Sequence, residues 1–387
     1  MAAMNPAGPP PATTTATDDG KDGAMERNIS NQSSKEPSGE GKGGPGAAQR
    51  SREAHRFSVA PMLDHTDRHF RLLFRQISRH SLLYTEMVVA QALHHARRQP
   101  GADQPGGRLE RLIGFDPAER PLALQVGGDN PQLLAEATHL AADWGYDEIN
   151  LNVGCPSEKV QRGRFGACLM AQPQLVARCV EAMAGASALP VTVKHRIGID
   201  GHDSYAELVA FVDALASAGC QRFAVHARKA WLNGLDPKQN RTIPPLRYEL
   251  VQQLKTDRPQ LTIDLNGGLQ TLEDCRQQLR HLDGVMVGRA AYDHPLRWGL
   301  VDAAIHGDHH QPAVKASTVV RGLIPHAERW RSRGGRLWPM ARHLVHVVEA
   351  VSGARHWRAA LTRSAAAREA GPEVLEAAAR QLEERGL

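Results

Sequence analysis

The sequence predicts an α/β protein: a (β/α)8 TIM barrel followed by a C-terminal all-helical domain. Three observations predict it. Between residues 57 and 290, eight short β-type runs alternate with helical stretches, the pattern of βαβ units on a parallel sheet. Eight such units in about 240 residues match the size of a closed barrel. After residue 300 no β-type run follows, and the patterning becomes amphipathic and helical.

The predicted strands cover 57–62, 82–87, 122–126, 148–153, 191–197, 222–226, 261–266 and 284–287. Helical stretches at 131–144, 173–183, 205–218 and 272–282 separate several of them. Pro131 and Pro173 suit a first helical turn, where a missing N–H costs nothing, and Gly145 and Gly219 suit a helix stop. A doubly wound sheet is the alternative, but no G-x-G-x-x-G opens a helix near the start. Further helices are expected at 313–333, 340–351, 357–370 and 372–385. Residues 1–52, rich in Gly, Pro, Ser, Thr and Ala, read as a disordered tail that buries too little to offset its ordering entropy. The expected domains are thus this tail, a barrel over 53–305 and a helical domain over 306–387.

No run of about 18 apolar residues exists, so no membrane span is expected, and nothing marks the N-terminus for export. The chain is expected to be cytoplasmic. Its five cysteines form no C-x-x-C pair and fit neither a zinc site nor a disulfide framework. No metal is expected. The net charge is +5, but its distribution matters more. Residues 315–368 carry eleven Lys/Arg against two acids, an excess of nine that leaves the rest of the chain at −4. Such a concentration suits a surface that meets polyanions; the plainer reading is a solvated helical face.

A barrel of this kind places its active site at the C-terminal strand ends. All eight predicted ends carry polar or small residues. The seventh and eighth end in Gly267-Gly268 and Gly288-Arg289, a frequent phosphate position, where glycines admit an anion to the backbone and Arg289 adds charge. A phosphate-bearing cofactor is implied, and flavin mononucleotide fits best. Gln125 could meet the pyrimidine edge of the flavin, and Lys194 could stabilise its anionic reduced form. The alternatives are an ion pair for Lys194 and a satisfied core histidine for His226. Cys155 lies in Asn152-Val153-Gly154-Cys155-Pro156-Ser157, a rigid turn beyond the fourth strand. A thiol of ordinary pKa, about 8.5, is mostly protonated at neutral pH and suits a proton donor; a nucleophilic role has no adjacent base to support it.

These segments resemble the tRNA-dihydrouridine synthases, in the branch typified by the bacterial A-type enzyme. The resemblance covers roughly residues 55–385. It is carried by Pro61-Met62-Leu63-Asp64, Leu83-Tyr84-Thr85-Glu86-Met87, the run from Asp147 to Ser157, Gly166-Ala167-Cys168-Leu169-Met170, Val193-Lys194-His195-Arg196-Ile197-Gly198 and His226-Ala227-Arg228-Lys229-Ala230-Trp231. The resemblance implies FMN and NADPH as cofactors and tRNA as partner, with no protein partner. It implies hydride transfer from the flavin to C6 of a uridine in the D-loop, at positions 20 and 20a, while Cys155 protonates C5. Pro61, Met62, Leu63, Gln125, Lys194, His226, Asn266, Gly267, Gly268, Gly288 and Arg289 take the flavin positions. Asn152, Lys238, Arg241, Arg355 and Arg358 take tRNA-contacting ones. Two departures stand out: His65 replaces a usual Trp, and compact bacterial members lack the N-terminal tail. A flavin barrel acting on a small free molecule shares the flavin residues but has no use for the basic helical region. A non-catalytic RNA-binding barrel leaves the cysteine turn without purpose.

Overall fold

The computed structural model describes residues 45–310 and 314–387. Eight parallel strands close into a barrel. Strand β1 (Phe57–Val59) pairs with β2 (Leu82–Tyr84) and, across the closure, with β8 (Gly284–Val287). Strand β2 pairs with β3 (Leu122–Gly127), and β4 (Glu148–Val153), β5 (Val191–Arg196), β6 (Arg222–His226) and β7 (Thr262–Asn266) complete the ring. The segment Val88–Val89 rejoins the sheet beside β3 after a gap in the second strand.

Successive side chains of a strand alternate between the barrel axis and the surrounding helices. The outward set, including Leu124, Val126, Leu151, Val193, Phe223, Val225, Leu265 and Val285, is fully buried in one continuous apolar core. The inward set is polar on several strands: Glu148, Asn150 and Asn152 on β4, Thr192, Lys194 and Arg196 on β5, Arg222 and His226 on β6. At the lower end these groups satisfy one another. The Glu148 carboxylate accepts from Ser51 Oγ (2.5 Å), Tyr84 OH (2.9 Å), Thr192 Oγ1 (2.5 Å) and the Arg222 guanidinium, and Asp264 lies 3.8 Å from Arg222 Nε.

Strands β4, β6 and β8 have the predicted bounds. The expected runs 57–62 and 82–87 stop at Val59 and Tyr84 instead. Pro61 has no N–H for a ladder, and the His65 and Thr66 amides turn back onto the Met62 carbonyl. The expected tail over 1–52 is shortened by a helix, Pro45–Ala54. Its small residues Ala47, Ser51 and Ala54 are buried, and Arg50 Nε donates to Asp147 at 2.7 Å. The rest of that tail, 1–44, lies outside the described residues.

The expected helix over 313–333 is two, Ala316–Gly322 and Ile324–Ser332; Pro325 in the second one's first turn lacks the N–H that would continue the first. Trp338–Leu344, Ala354–Ala366 and Glu373–Glu383 follow. This helical region belongs to the same compact unit as the barrel. Asp302 accepts from Ser78 Oγ (2.5 Å) and the Arg79 amide (2.6 Å), and Asp67 accepts from Arg342 (2.7 Å). No helix among the described residues is long and apolar enough to cross a membrane.

Removing one partner of a buried pair strands the other charge. Arg222→Met is therefore expected to lower unfolding stability in urea by about 3–5 kcal/mol. A loss below about 1 kcal/mol would mean that Glu148 tolerates the site uncharged.

Candidate active site

Parallel pairing sets the inward polar residues side by side at the upper rim. Gln125 stands opposite Asn150, and Asn152 opposite Lys194. Arg196 stands opposite His226, and His226 opposite Asn266. A hydrogen-bonded chain joins the first of these. Gln125 Nε2 donates to Asn150 Oδ1 (2.8 Å), and Asn152 Nδ2 donates to Gln125 Oε1 (2.9 Å). Gln125 and Asn152 each keep one N–H that these bonds do not use.

The fourth strand runs into the cysteine turn, and Asn152 shapes it. Its Oδ1 accepts from the amides of Gly154 (3.1 Å) and Cys155 (3.0 Å). The Cys155 carbonyl accepts from the Ala167 amide at 2.9 Å. Beneath that carbonyl sits Gly166, with φ +80°; a Cβ there would come within 2.5 Å of the Cys155 oxygen. Arg196, buried, donates through Nε to the Gly154 carbonyl (2.9 Å) and through Nη1 to Lys229 O and Asn240 O (both 3.1 Å). One guanidinium thus ties the cysteine turn to the loop after β6. The half-buried Cys155 thiol points its S–H at Ser157 Oγ, 3.6 Å away.

The rim is strongly positive. Lys194 is pushed down to about 8, first by burial and then by Arg196. Among the described residues no carboxylate pairs with it, so the ion-pair alternative has no partner here. Burial, then Arg196, Lys194, Arg228 and Arg241, drive His226 well below its ordinary value, leaving a neutral ring. That ring lies against Gly267, where a Cβ would meet its Cδ2 at 2.5 Å. Gly267 itself has φ +108°, and its carbonyl accepts from Tyr248 OH at 2.7 Å. Asn266 Nδ2 donates to Met286 O at 2.7 Å. Gly288 opens the short helix led by the exposed Arg289, and Met62 Sδ lies 3.7 Å from where a side chain at Gly288 would begin. Arg228 donates to the Pro244 carbonyl, but its buried Nε has no partner among the described residues.

The predicted residues Gln125, Asn152, Cys155, Lys194, His226, Asn266, Gly267, Gly268, Gly288 and Arg289 therefore fall on one strand rim and its immediate turns. Pro61, Met62 and Leu63 lie on the first loop, with Leu63 68% exposed. Lys238 and Arg241 are exposed on the loop after β6, and Arg241 feels both Arg289 and Cys155. Arg355 and Arg358 stand not on the rim but in the first turns of Ala354–Ala366; Arg355 is exposed, and Arg358 donates to Val348 O at 3.4 Å. Not all of the C-terminal charge is free. Arg321 is bound by Glu376 and Glu383, and Arg342 by Asp67.

Sequence reasoning missed the bracing roles of Arg196 and Asn240. Arg196 had a signal, since its spacing from Lys194 puts both on the inward face of β5. Asn240 had none. Yet it is buried and folds the loop by exchanging bonds with Trp231 N (2.8 Å) and Trp231 O (2.9 Å).

The sequence matches the dihydrouridine synthase (Dus) family model over residues 58–383. It is similar to the tRNA-dihydrouridine(20/20a) synthase of Synechocystis, at 56% identity over 321 residues covering 83% of this chain and 92% of the relative. Proteins of the same name from Pasteurella multocida and Pseudomonas aeruginosa are 51% and 50% identical; they align with 84% and 80% of this chain and over 95% and 90% of their own lengths.

The unpaired rim cation also has a signature in stability. Because Lys194 binds its proton less tightly in the fold, the unfolded chain holds more protons between about 8 and the ordinary 10.5, and stability contributed by this site rises with pH through that window. Lys194→Met is expected to stabilise the ligand-free protein at pH 7 and to lose that advantage by pH 10.5. Equal melting shifts at both pH values would contradict a charged, unpaired Lys194.

Proposed function

The chain belongs to the dihydrouridine synthase family, and we propose that it reduces uridine to 5,6-dihydrouridine in the D-loop of tRNA, at positions 20 and 20a, with NADPH as reductant. The observation that carries this reading is the cysteine turn held by Asn152 and Arg196 inside a ring of cations at the barrel mouth. The substrate positions follow the names of relatives that are half identical to this chain over most of its length.

The rim residues fit FMN. Arg228 offers a buried Nε that lacks a partner among the described residues, and the Gly267–Gly268 crevice has no room for a side chain beside His226. A dianionic phosphate would satisfy the Arg228 Nε, with Arg289 and Gly288 at its edge. Gln125 and Asn266, with Pro61, Met62 and Leu63 on the first loop, would border the ring system. When bound, FMN supplies to C6 of the uracil a hydride obtained from NADPH. Lys194 would stabilise the anionic reduced form of that cofactor. Cys155 holds the proton for C5 on Sγ, and Asn152 fixes that sulfur by binding the turn's two amides. Lys238, Arg241, Arg355 and Arg358 contact RNA phosphates, which explains why the recipient is a base within a large polyanion.

Purified protein should be yellow and release FMN on denaturation. Cys155→Ala should still bind FMN and tRNA while dihydrouridine formation falls by about 10²–10⁴-fold, the range for loss of a general acid. Full turnover in this variant would remove the proton-donor role. The double variant Arg355→Ala with Arg358→Ala should weaken tRNA binding and flatten its salt dependence by about two phosphate contacts; unchanged affinity at low salt would take these residues out of RNA recognition. Dihydrouridine mapping in tRNA from cells lacking the protein tests the positions.

A further inference from the structure

The first loop, residues 61–67, is held from three other parts of the fold. Asp64 sits at φ +63°, a left-handed conformation strained for a residue with a side chain. Its N–H donates to Glu86 Oε1 at 2.5 Å. Its carbonyl accepts from Arg342 Nη1 at 3.0 Å, while Arg342 Nη2 donates to Asp67 Oδ2 at 2.7 Å. Arg342 comes from helix Trp338–Leu344 of the C-terminal region, 275 residues along the chain from Asp67. The same Asp67 carboxylate accepts from His343 Nε2 (3.0 Å) and caps helix Arg68–Arg75 through the His69 and Phe70 amides (2.9 and 3.0 Å). Burial opposes its charge, yet His343 and the other donors hold it far below the ordinary carboxylate range, so it stays ionised. On the third side His65 packs on Tyr292 with ring centres 4.2 Å apart, and its Nδ1–H donates to Leu63 O at 2.7 Å. The residue that departs from its branch thus has its own anchoring role.

We propose that Arg342 is a positioning residue for the cofactor. One guanidinium of the helical region bridges Asp64 and Asp67, fixes the strained turn, and thereby sets Met62 against the Gly288 edge of the site. This rests on the FMN reading above. It adds a second task for a region whose charge otherwise points only to RNA. Arg is required because a single planar fork reaches a carbonyl and a carboxylate together; a lysine reaches one.

Hydrogen exchange and FMN titration of full-length Arg342→Ala and Arg342→Lys separate the possibilities. Amides of Asp64, His65 and Thr66 in flavin-free protein should exchange about tenfold faster in Arg342→Ala, while those of β4 and β5 stay protected. FMN affinity should fall about tenfold and the visible flavin spectrum should shift, with Arg342→Lys intermediate in both. Faster loop exchange with unchanged FMN affinity and spectrum overturns the positioning role. Unchanged loop exchange overturns the clamp itself. If Arg342→Ala does not fold, the same criteria apply to Arg342→Lys. Wild-type protein that binds no FMN overturns the cofactor reading and the positioning role with it, whereas the exchange result still decides whether the clamp exists.

Discussion

A closed parallel barrel forces every second strand residue towards a shared axis, and each polar group sent there must find a partner or a ligand. At the lower end the partners are internal. Glu148 gathers hydroxyls from three segments and one guanidinium, and the N-terminal helix covers that end through Ser51 and Arg50. At the upper end the same alternation delivers Lys194, Arg196 and His226, and the adjoining turns add Arg228, Arg241 and Arg289, with far fewer acids to meet them. The barrel is thus polar in a directed sense, with its charges satisfied below and electropositive above.

The rim is not a loose collection of cations. Asn152 and Arg196 both hold the backbone of the cysteine turn, one from its own strand and one from the neighbouring strand. Arg196 also reaches the loop carrying Lys238 and Arg241 through the carbonyls of Lys229 and Asn240. The cysteine turn and the loop carrying Lys238 and Arg241 therefore share one buried anchor. Neutral His226 follows first from burial and then from that crowding, since four cations around it make a fifth charge unfavourable.

The helical region is joined to the barrel by the same kind of contact. Asp67, Asp116 and Asp302 are acids of the barrel half or its border, and each is bound across the junction or by a neighbouring loop. Charge counted along the sequence overstates what this region presents to solvent, because Arg321, Arg329 and Arg342 are engaged within the protein. The remaining arginines, including exposed Arg355, carry the surface charge.

By itself the sequence determined the number of strands, the bounds of β4, β6 and β8, the helical C-terminal region and nearly every rim residue. These are local properties: strand periodicity, proline and glycine punctuation, and polar residues placed just past apolar runs. It also determined the family, since the run from Asn152 to Ser157 and the run from His226 to Trp231 are long and ordered. What only the tertiary structure decided depends on contacts distant in sequence. The helix Pro45–Ala54 forms where composition reads as tail, because Ala47 and Ser51 find a barrel end to cover. Strands β1 and β2 stop early, because their last predicted residues turn into loops that bond elsewhere. Arg196, Asn240 and Arg342 brace the fold largely through backbone groups of distant residues, which no motif records.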